Sequence, residues 1–404
     1  MRNLSCLFIL TLLFFGQTSF AASEPDLDLL KSLVAISSDT KDMAGVNEVQ
    51  NIVSVQLKAL GFVVRLIENP KDPKISGKML VAEWPGQTKR FITLVSHADT
   101  VFEKLNAFKL SADGKTASGS GVIDNKGGIV VGIHALGELI KANPKLRYSL
   151  RIVISPSEET GSVGFGPALM SFSNDSIFLI GLEPGLDNGS YVSSRKGVRW
   201  YDIHVFGKES HAGAHHEDGI NACYDLSVKL SKIQMLTDYE KGNTVSIGSI
   251  SGGKDKFNIV CGEASAKVDT RFATPSAAKE LFQKIEAVLN TSFGHSAKTQ
   301  EGTVTKFTNP VDVSALPENK AAHILLQKYV ALISQIEGRT IHGEGTGGVA
   351  DLNQMFRPGL LLADGMGPLG GGVHTADEFL TVSSLHTRAE ALSRFLQILE
   401  TELK

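Results

Sequence analysis

Two adjacent carboxylates, Glu158 and Glu159, follow an apolar run and precede a Thr-Gly-Ser turn. Buried like charges at that spacing disfavour joint ionisation. A divalent cation on Glu159 resolves the conflict and leaves Glu158 as a proton acceptor for water. Four other segments carry matching chemistry: Ser96-His97-Ala98-Asp99, Gly121-Val122-Ile123-Asp124-Asn125, Leu182-Glu183-Pro184-Gly185 and Val373-His374-Thr375-Ala376-Asp377. Together they supply two imidazoles and three carboxylates as ligands, with Glu158 to spare. That inventory suits two divalent cations and a general base. Asp124 would bridge the pair, His97 and Glu183 completing one ion and Glu159 and His374 the other.

Singly, each segment has a plainer reading. His97-Ala98-Asp99 is a common loop pair, although residues two apart in extended backbone face the same way. Asp99 is thereby placed to accept the free ring N–H of His97, as metal-bound imidazoles require. Asp124 could be a simple helix cap, Glu183 a turn residue and His374 a loop histidine. The set, in this order, points to two-metal hydrolysis. Ser210-His211-Ala212-Gly213 is a further candidate: His211 either stabilises an oxyanion across a closing domain or is an ordinary loop histidine. His215 and His216 read as solvated.

The elements that must position these residues alternate. Apolar runs at 91–95, 150–154 and 177–181 each end just before a candidate ligand. Residues 126–141 carry Ile129, Ile133, Leu136 and Ile140 at helical steps. Strand–helix–strand alternation argues for an α/β fold, with a mixed, mainly parallel sheet and helices on both faces. Its chemistry should collect at the strand carboxyl ends. Between 196 and 308 the order becomes β-α-β-β-α-β, with strands at 197–206, 244–249, 264–272 and 299–307. This is the ferredoxin-like split βαβ. The expected organisation is a signal segment at 1–22, a catalytic domain split into 23–195 and 309–404, and an inserted lid at 196–308.

At 404 residues, with 42% hydrophobic and 21% charged residues, the chain is long enough for about two domains. A net charge of −3 and no basic stripe disfavour a nucleic-acid partner. Arg2, the apolar stretch 7–15 and Ser19-Phe20-Ala21-Ala22 have the layout of a cleaved secretory signal. A membrane anchor needs roughly 20 apolar residues, so no membrane association is expected after cleavage. Cys6 precedes the apolar core, where a lipid-anchor cysteine would follow it. Cys223 and Cys261 sit in no C-x-x-C pair and are expected as small buried apolar groups, with pairing open in an oxidising compartment.

In order and spacing, the five segments resemble the dinuclear-zinc family of aminoacylases, acetylornithine deacetylases, succinyl-diaminopimelate desuccinylases and glutamate carboxypeptidases. The glutamate carboxypeptidases are the nearest likeness, and it runs from about Leu29 to the last helix. The resemblance implies a phosphorylase/hydrolase-like zinc-peptidase domain with an inserted lid that forms a homodimer. It implies two Zn2+ ions, or Co2+ or Mn2+ in their place, on His97, Asp124, Glu159, Glu183 and His374. Glu158 is then the catalytic carboxylate, Asp99 the histidine-orienting aspartate, and Asp124-Asn125 a cis peptide. His211 corresponds to a lid histidine that reaches the partner's active site. Asn258, Arg271, Gly347 and Gly348 correspond to substrate-binding positions. Three departures stand out: Cys261 replaces a proline, Val349 replaces a threonine, and only Lys306 stands where glutamate carboxypeptidases have an arginine-rich stretch.

The expected activity is cleavage of an amide beside a free carboxylate in a small peptide, with glutamate as the leaving residue, by a secreted or periplasmic enzyme. N-acyl amino acid deacylation, desuccinylation and dipeptide hydrolysis are the alternatives for the same site. A two-lobed solute-binding protein would share the outline, but a pure binder needs no spare general base.

Overall fold

The computed structural model describes residues 24–403. The expected signal segment at 1–22, Cys6 included, lies outside them. The main sheet has six strands in the order Val63–Ile67, Met79–Trp84, Ser149–Ser155, Phe91–His97, Ser176–Gly181, Leu361–Ala363. The last four run parallel, and the first two are added at one edge by antiparallel pairing, so only Met79–Trp84 runs against the rest. The central strands are apolar along nearly their whole length because both faces are covered. Leu80, Leu94, Ile152 and Ile180 enter the larger core under the helices Lys126–Ala142 and Val382–Glu402. Their neighbours Val81, Val95, Val153 and Leu179 face a second core built on Phe165, Leu169 and Leu352. One-residue alternation therefore divides each strand between two helical layers. Among the described residues, no helix is long and apolar enough to cross a membrane.

The helix Lys126–Ala142 packs close to the sheet at its first turn. A Cβ on Gly128 would lie 1.8 Å from Asn125 Oδ1 and 2.2 Å from the Leu182 carbonyl, so only glycine lets these segments meet there.

The lid has four antiparallel strands in the order Thr244–Gly252, Glu263–Phe272, Gly197–Phe206, Val304–Thr308. This is the ferredoxin-like arrangement. The short strand Asp312–Val313 also pairs with the beginning of Gly197–Phe206. One face carries the helices Ala222–Gln234 and Pro275–Leu289 over a separate apolar core. Asn221 and Thr274 cap these helices by accepting the Tyr224 and Ala277 N–H groups. The outer strand Thr244–Gly252 leaves its edge uncovered, with Ile250 exposed.

Two expectations need correction. Residues 299–303 are loop, and the last lid strand starts at Val304. Thr303 turns inward and donates its hydroxyl to the buried Asp225 at 2.6 Å. Cys223 and Cys261 are not isolated apolar groups: they form a disulfide across a Cα–Cα distance of 5.7 Å. It ties the first turn of a lid helix to the segment entering a lid strand.

Candidate metal centre

Each candidate ligand hangs from a strand end or from the loop that follows. His97 ends Phe91–His97, and Glu158 and Glu159 open the 3-10 turn Glu158–Thr160 after Ser149–Ser155. Glu183 lies two residues past Ser176–Gly181. Asp124 sits just before the helix Lys126–Ala142, and the Asp124–Asn125 peptide bond is cis. His374 takes a left-handed conformation, φ 65°, in the loop entering Phe379–Thr381.

These side chains converge on Asp124. His97 Nε2 lies 3.1 Å from Asp124 Oδ1 and 3.6 Å from Glu183 Oε1. On the other side, His374 Nε2 lies 3.2 Å from Asp124 Oδ2 and 3.1 Å from Glu159 Oε2. Donors held about 2.0–2.1 Å from one tetrahedral cation stand about 3.3 Å apart. In each triad the histidine stands near that spacing from both carboxylates, and each histidine faces a different Asp124 oxygen. Ligand atoms of His97, Asp124 and Glu159 also lie within 4.8 Å of one another, so the two triads form one compact cluster.

Burial and mutual contact set the electrostatics of the cluster. Burial pushes the Glu183 carboxyl up to about 8 and raises Glu158 well above the carboxylate range. Burial alone would also raise Asp124, but hydrogen bonds with His374 and His97 outweigh it and hold that carboxyl low. Hydrogen bonds to Asp124 and Glu159 push His374 up to about 10. Burial opposes protonation of His97, yet Glu183 and Asp124 carry it well above the imidazole range. Carboxylates buried this closely are stabilised by nearby positive charge. Glu159 Oε1, moreover, is buried with no hydrogen-bond partner. The donor set fits a divalent-metal centre, mononuclear or dinuclear.

Asp99 does more than the job expected of its side chain. His97 Nδ1 is 3.0 Å from the Asp99 backbone carbonyl, while the nearest carboxylate oxygen is 3.4 Å away. The carboxylate also accepts the backbone N–H groups of Glu158 (3.0 Å) and Glu159 (3.2 Å), plus the Thr40 hydroxyl at 2.6 Å. One fully buried residue therefore fixes the imidazole through its main chain and the Glu-Glu turn through its side chain.

Several supports were not foreseen. Glu378 accepts the backbone N–H groups of Gly121, Ile123 and Asp124 and so shapes the turn that presents Asp124. Asn125 Nδ2 donates to Glu183 Oε1 at 2.9 Å. Asp351, buried and lining the cavity, accepts the Ser162 hydroxyl at 2.6 Å. Glu378 follows His374-Thr375-Ala376-Asp377 directly, so an acid beside that segment was the one available signal. Nothing local marks Asp351.

The cluster opens into a cavity of about 440 Å3 between the catalytic domain and the lid. Arg271, Thr346 and Gly348 line it, whereas His211, Asn258 and Gly347 do not. His211 is exposed, and its Nδ1 accepts only the nearby Gly213 and Ala214 N–H groups, at 3.1 Å each. Asn258 is exposed on the adjoining loop. Within one chain, neither residue reaches the cluster.

Residues 193–296 match the peptidase dimerisation domain of the M20 family. The chain is 25% identical over 380 residues to carboxypeptidase G2 of Pseudomonas sp. (strain RS-16), covering 91% of this chain and 87% of that one. It is also 25% identical over 401 residues to a succinyl-diaminopimelate desuccinylase of Dechloromonas aromatica, covering 94% and 100%. A tripeptidase structure from Staphylococcus aureus superposes with a TM-score of 0.77 at 21% identity, over 95% of this chain and all of that one.

Proposed function

As a member of the M20 superfamily of metal-dependent amide hydrolases, the chain is, we propose, a carboxypeptidase-type enzyme that cleaves an amide beside a free carboxylate. The observation that carries this reading is the pair of triads sharing Asp124, with Glu158 beside them and Arg271 across the same cavity. Two zinc ions would be held by His97, Asp124 and Glu183 on one side and by Glu159, Asp124 and His374 on the other. Cobalt and manganese suit the same donors. When bound, the cations supply Lewis acidity that polarises the carbonyl and acidifies water.

The remaining steps belong to the chain. Glu158 takes a proton from the attacking water on a carboxylate oxygen and returns it to the leaving nitrogen. Asp99 keeps that carboxylate in place through the Glu158 N–H. Asn125 orients Glu183, and Glu378 holds the turn carrying Asp124. Arg271 pairs with the substrate carboxylate. Many residues carry such a carboxylate, and which side chain is released is set by the cavity wall and not by the metal ligands.

We further propose a homodimer formed through the lid, which brings His211 and Asn258 to the partner's cavity. Three features support it: both residues are exposed and lie outside their own cavity, the Thr244–Gly252 edge is uncovered, and the lid matches a dimerisation domain. A secreted or periplasmic location is proposed too, since the Cys223–Cys261 disulfide needs an oxidising compartment. The similarity to a desuccinylase supports N-acyl amino acids as the second reading.

The test is hydrolysis by the zinc-loaded protein of dipeptides and N-acyl amino acids, each with a free or an amidated carboxyl end. The free forms should be cleaved and the amides lose about 100-fold or more in kcat/KM, as expected when a charge partner is left unpaired. Equal cleavage of both forms would refute the carboxylate requirement. Cleavage confined to N-acyl substrates would select the second reading.

A further inference from the structure

We propose that the residue released by this enzyme carries an apolar side chain, received by a wall of four valines, and not the acidic side chain that the glutamate carboxypeptidase likeness implies. The inference rests on the carboxypeptidase reading and names its substrate class. Val198, Val311 and Val313 form a small buried cluster, separate from the cores of both domains, with Val349 packed against it. All four line the cavity. Val198 of the lid pairs with Val313 on the short strand Asp312–Val313, while Val349 belongs to the segment entering the helix Asp351–Met355. The wall therefore spans the two lobes where a substrate must lie.

It also stands next to the reacting groups. Gly161 ends the turn that carries Glu158 and Glu159, and a Cβ added there would sit 3.7 Å from both methyls of Val311. A side chain adjoining the scissile amide would meet branched aliphatic surface, whose burial is favourable only for an apolar group.

The cations of the cavity point the same way. Apart from His374, the described lining residues include two, Arg195 and Arg271. Arg195 is buried and committed: its Nε donates to the buried Asp364 at 2.7 Å. Arg271 is held by Asp269, which also accepts the Trp200 indole N–H at 2.7 Å. Part-exposed, Arg271 can meet one substrate carboxylate. A second carboxylate, on a glutamate side chain, would be buried against valine with no partner, which is unfavourable. Lys306 offers no relief, because it lies outside the cavity lining with its ammonium 5.7 Å from the Phe206 ring.

The experiment compares Ala-Leu, Ala-Phe, Ala-Glu and Ala-Asp on the zinc-loaded full chain, and measures by calorimetry the binding of free leucine, phenylalanine and glutamate. Leucine and phenylalanine substrates should exceed glutamate by about ten-fold or more in kcat/KM, with the same order in binding. Val311→Lys should shift the Glu/Leu ratio toward glutamate by about ten-fold. Cleavage with glutamate equal or preferred overturns the inference and leaves the carboxypeptidase reading standing. Apolar binding with no cleavage of any dipeptide overturns that reading and spares the wall's assignment. No binding and no cleavage overturns both. If Val311→Lys fails to fold, the wild-type ratios decide alone.

Discussion

The floor of the cavity and the tip of the lid are built on opposite terms. His97 and Asp99 are 1% and 0% exposed and held by several hydrogen bonds from distant parts of the chain. His211 is open to solvent, with only its own loop as partner, and Phe257 nearby is fully exposed. The floor is complete within one chain because strand ends, a helix start and a buried acid determine it jointly. The lid tip has its residues but no internal counterpart. Groups that act within the chain are therefore expected to be preorganised, and those that act across an interface wait for it.

Four perturbations sharpen or break that contrast. Glu158→Gln should lower kcat by about 10²–10⁴-fold with zinc content unchanged; unchanged turnover removes Glu158 from the mechanism. His211→Ala should cost about 10²–10³-fold, and a purified heterodimer of His211→Ala with Glu158→Ala should regain about half of wild-type activity, one site of two. A heterodimer as inactive as its parents would show that His211 does not act in trans. Asp99→Asn should weaken zinc affinity by about 10–100-fold, because it loosens the Glu-Glu turn; unaltered affinity would deny Asp99 that positioning role.

The smallest effect lies far from both regions. His134 Nδ1 is 2.6 Å from Asp26, and that hydrogen bond raises the imidazole above its ordinary value. A raised folded value means the pair's contribution is complete below about pH 6.5, the unfolded value, and fades as pH rises through the folded value. His134→Gln should lower Tm by about 1–3 °C at pH 5.5 and by less at pH 9. An equal loss at both would show that packing, not charge, makes the contribution.

Much of the floor was legible in the sequence because His97, Glu159 and Glu183 follow apolar runs announced by strand periodicity, while Asp124 and His374 follow glycine-containing turns. The helix Lys126–Ala142 and the lid order followed from the same signals. Long-range supports were not legible. Asp351 contacts Ser162 across 189 positions and Glu378 contacts Gly121 across 257, and no local pattern encodes such pairings. Asp99 was half legible for a related reason: extended backbone places it beside His97, but its carboxylate also takes the returning Glu158 and Glu159 amides. The sequence left the pairing of Cys223 and Cys261 open because they are 38 residues apart, and only the lid's folding brings their Cα atoms together.

Asp124 is expected to join two cation sites. Anomalous diffraction at the zinc edge, on crystals of the zinc-loaded protein, tests it most directly. Two peaks per chain should flank the Asp124 carboxylate, one against His97 and Glu183 and the other against Glu159 and His374. A single peak, or peaks away from Asp124, would contradict it.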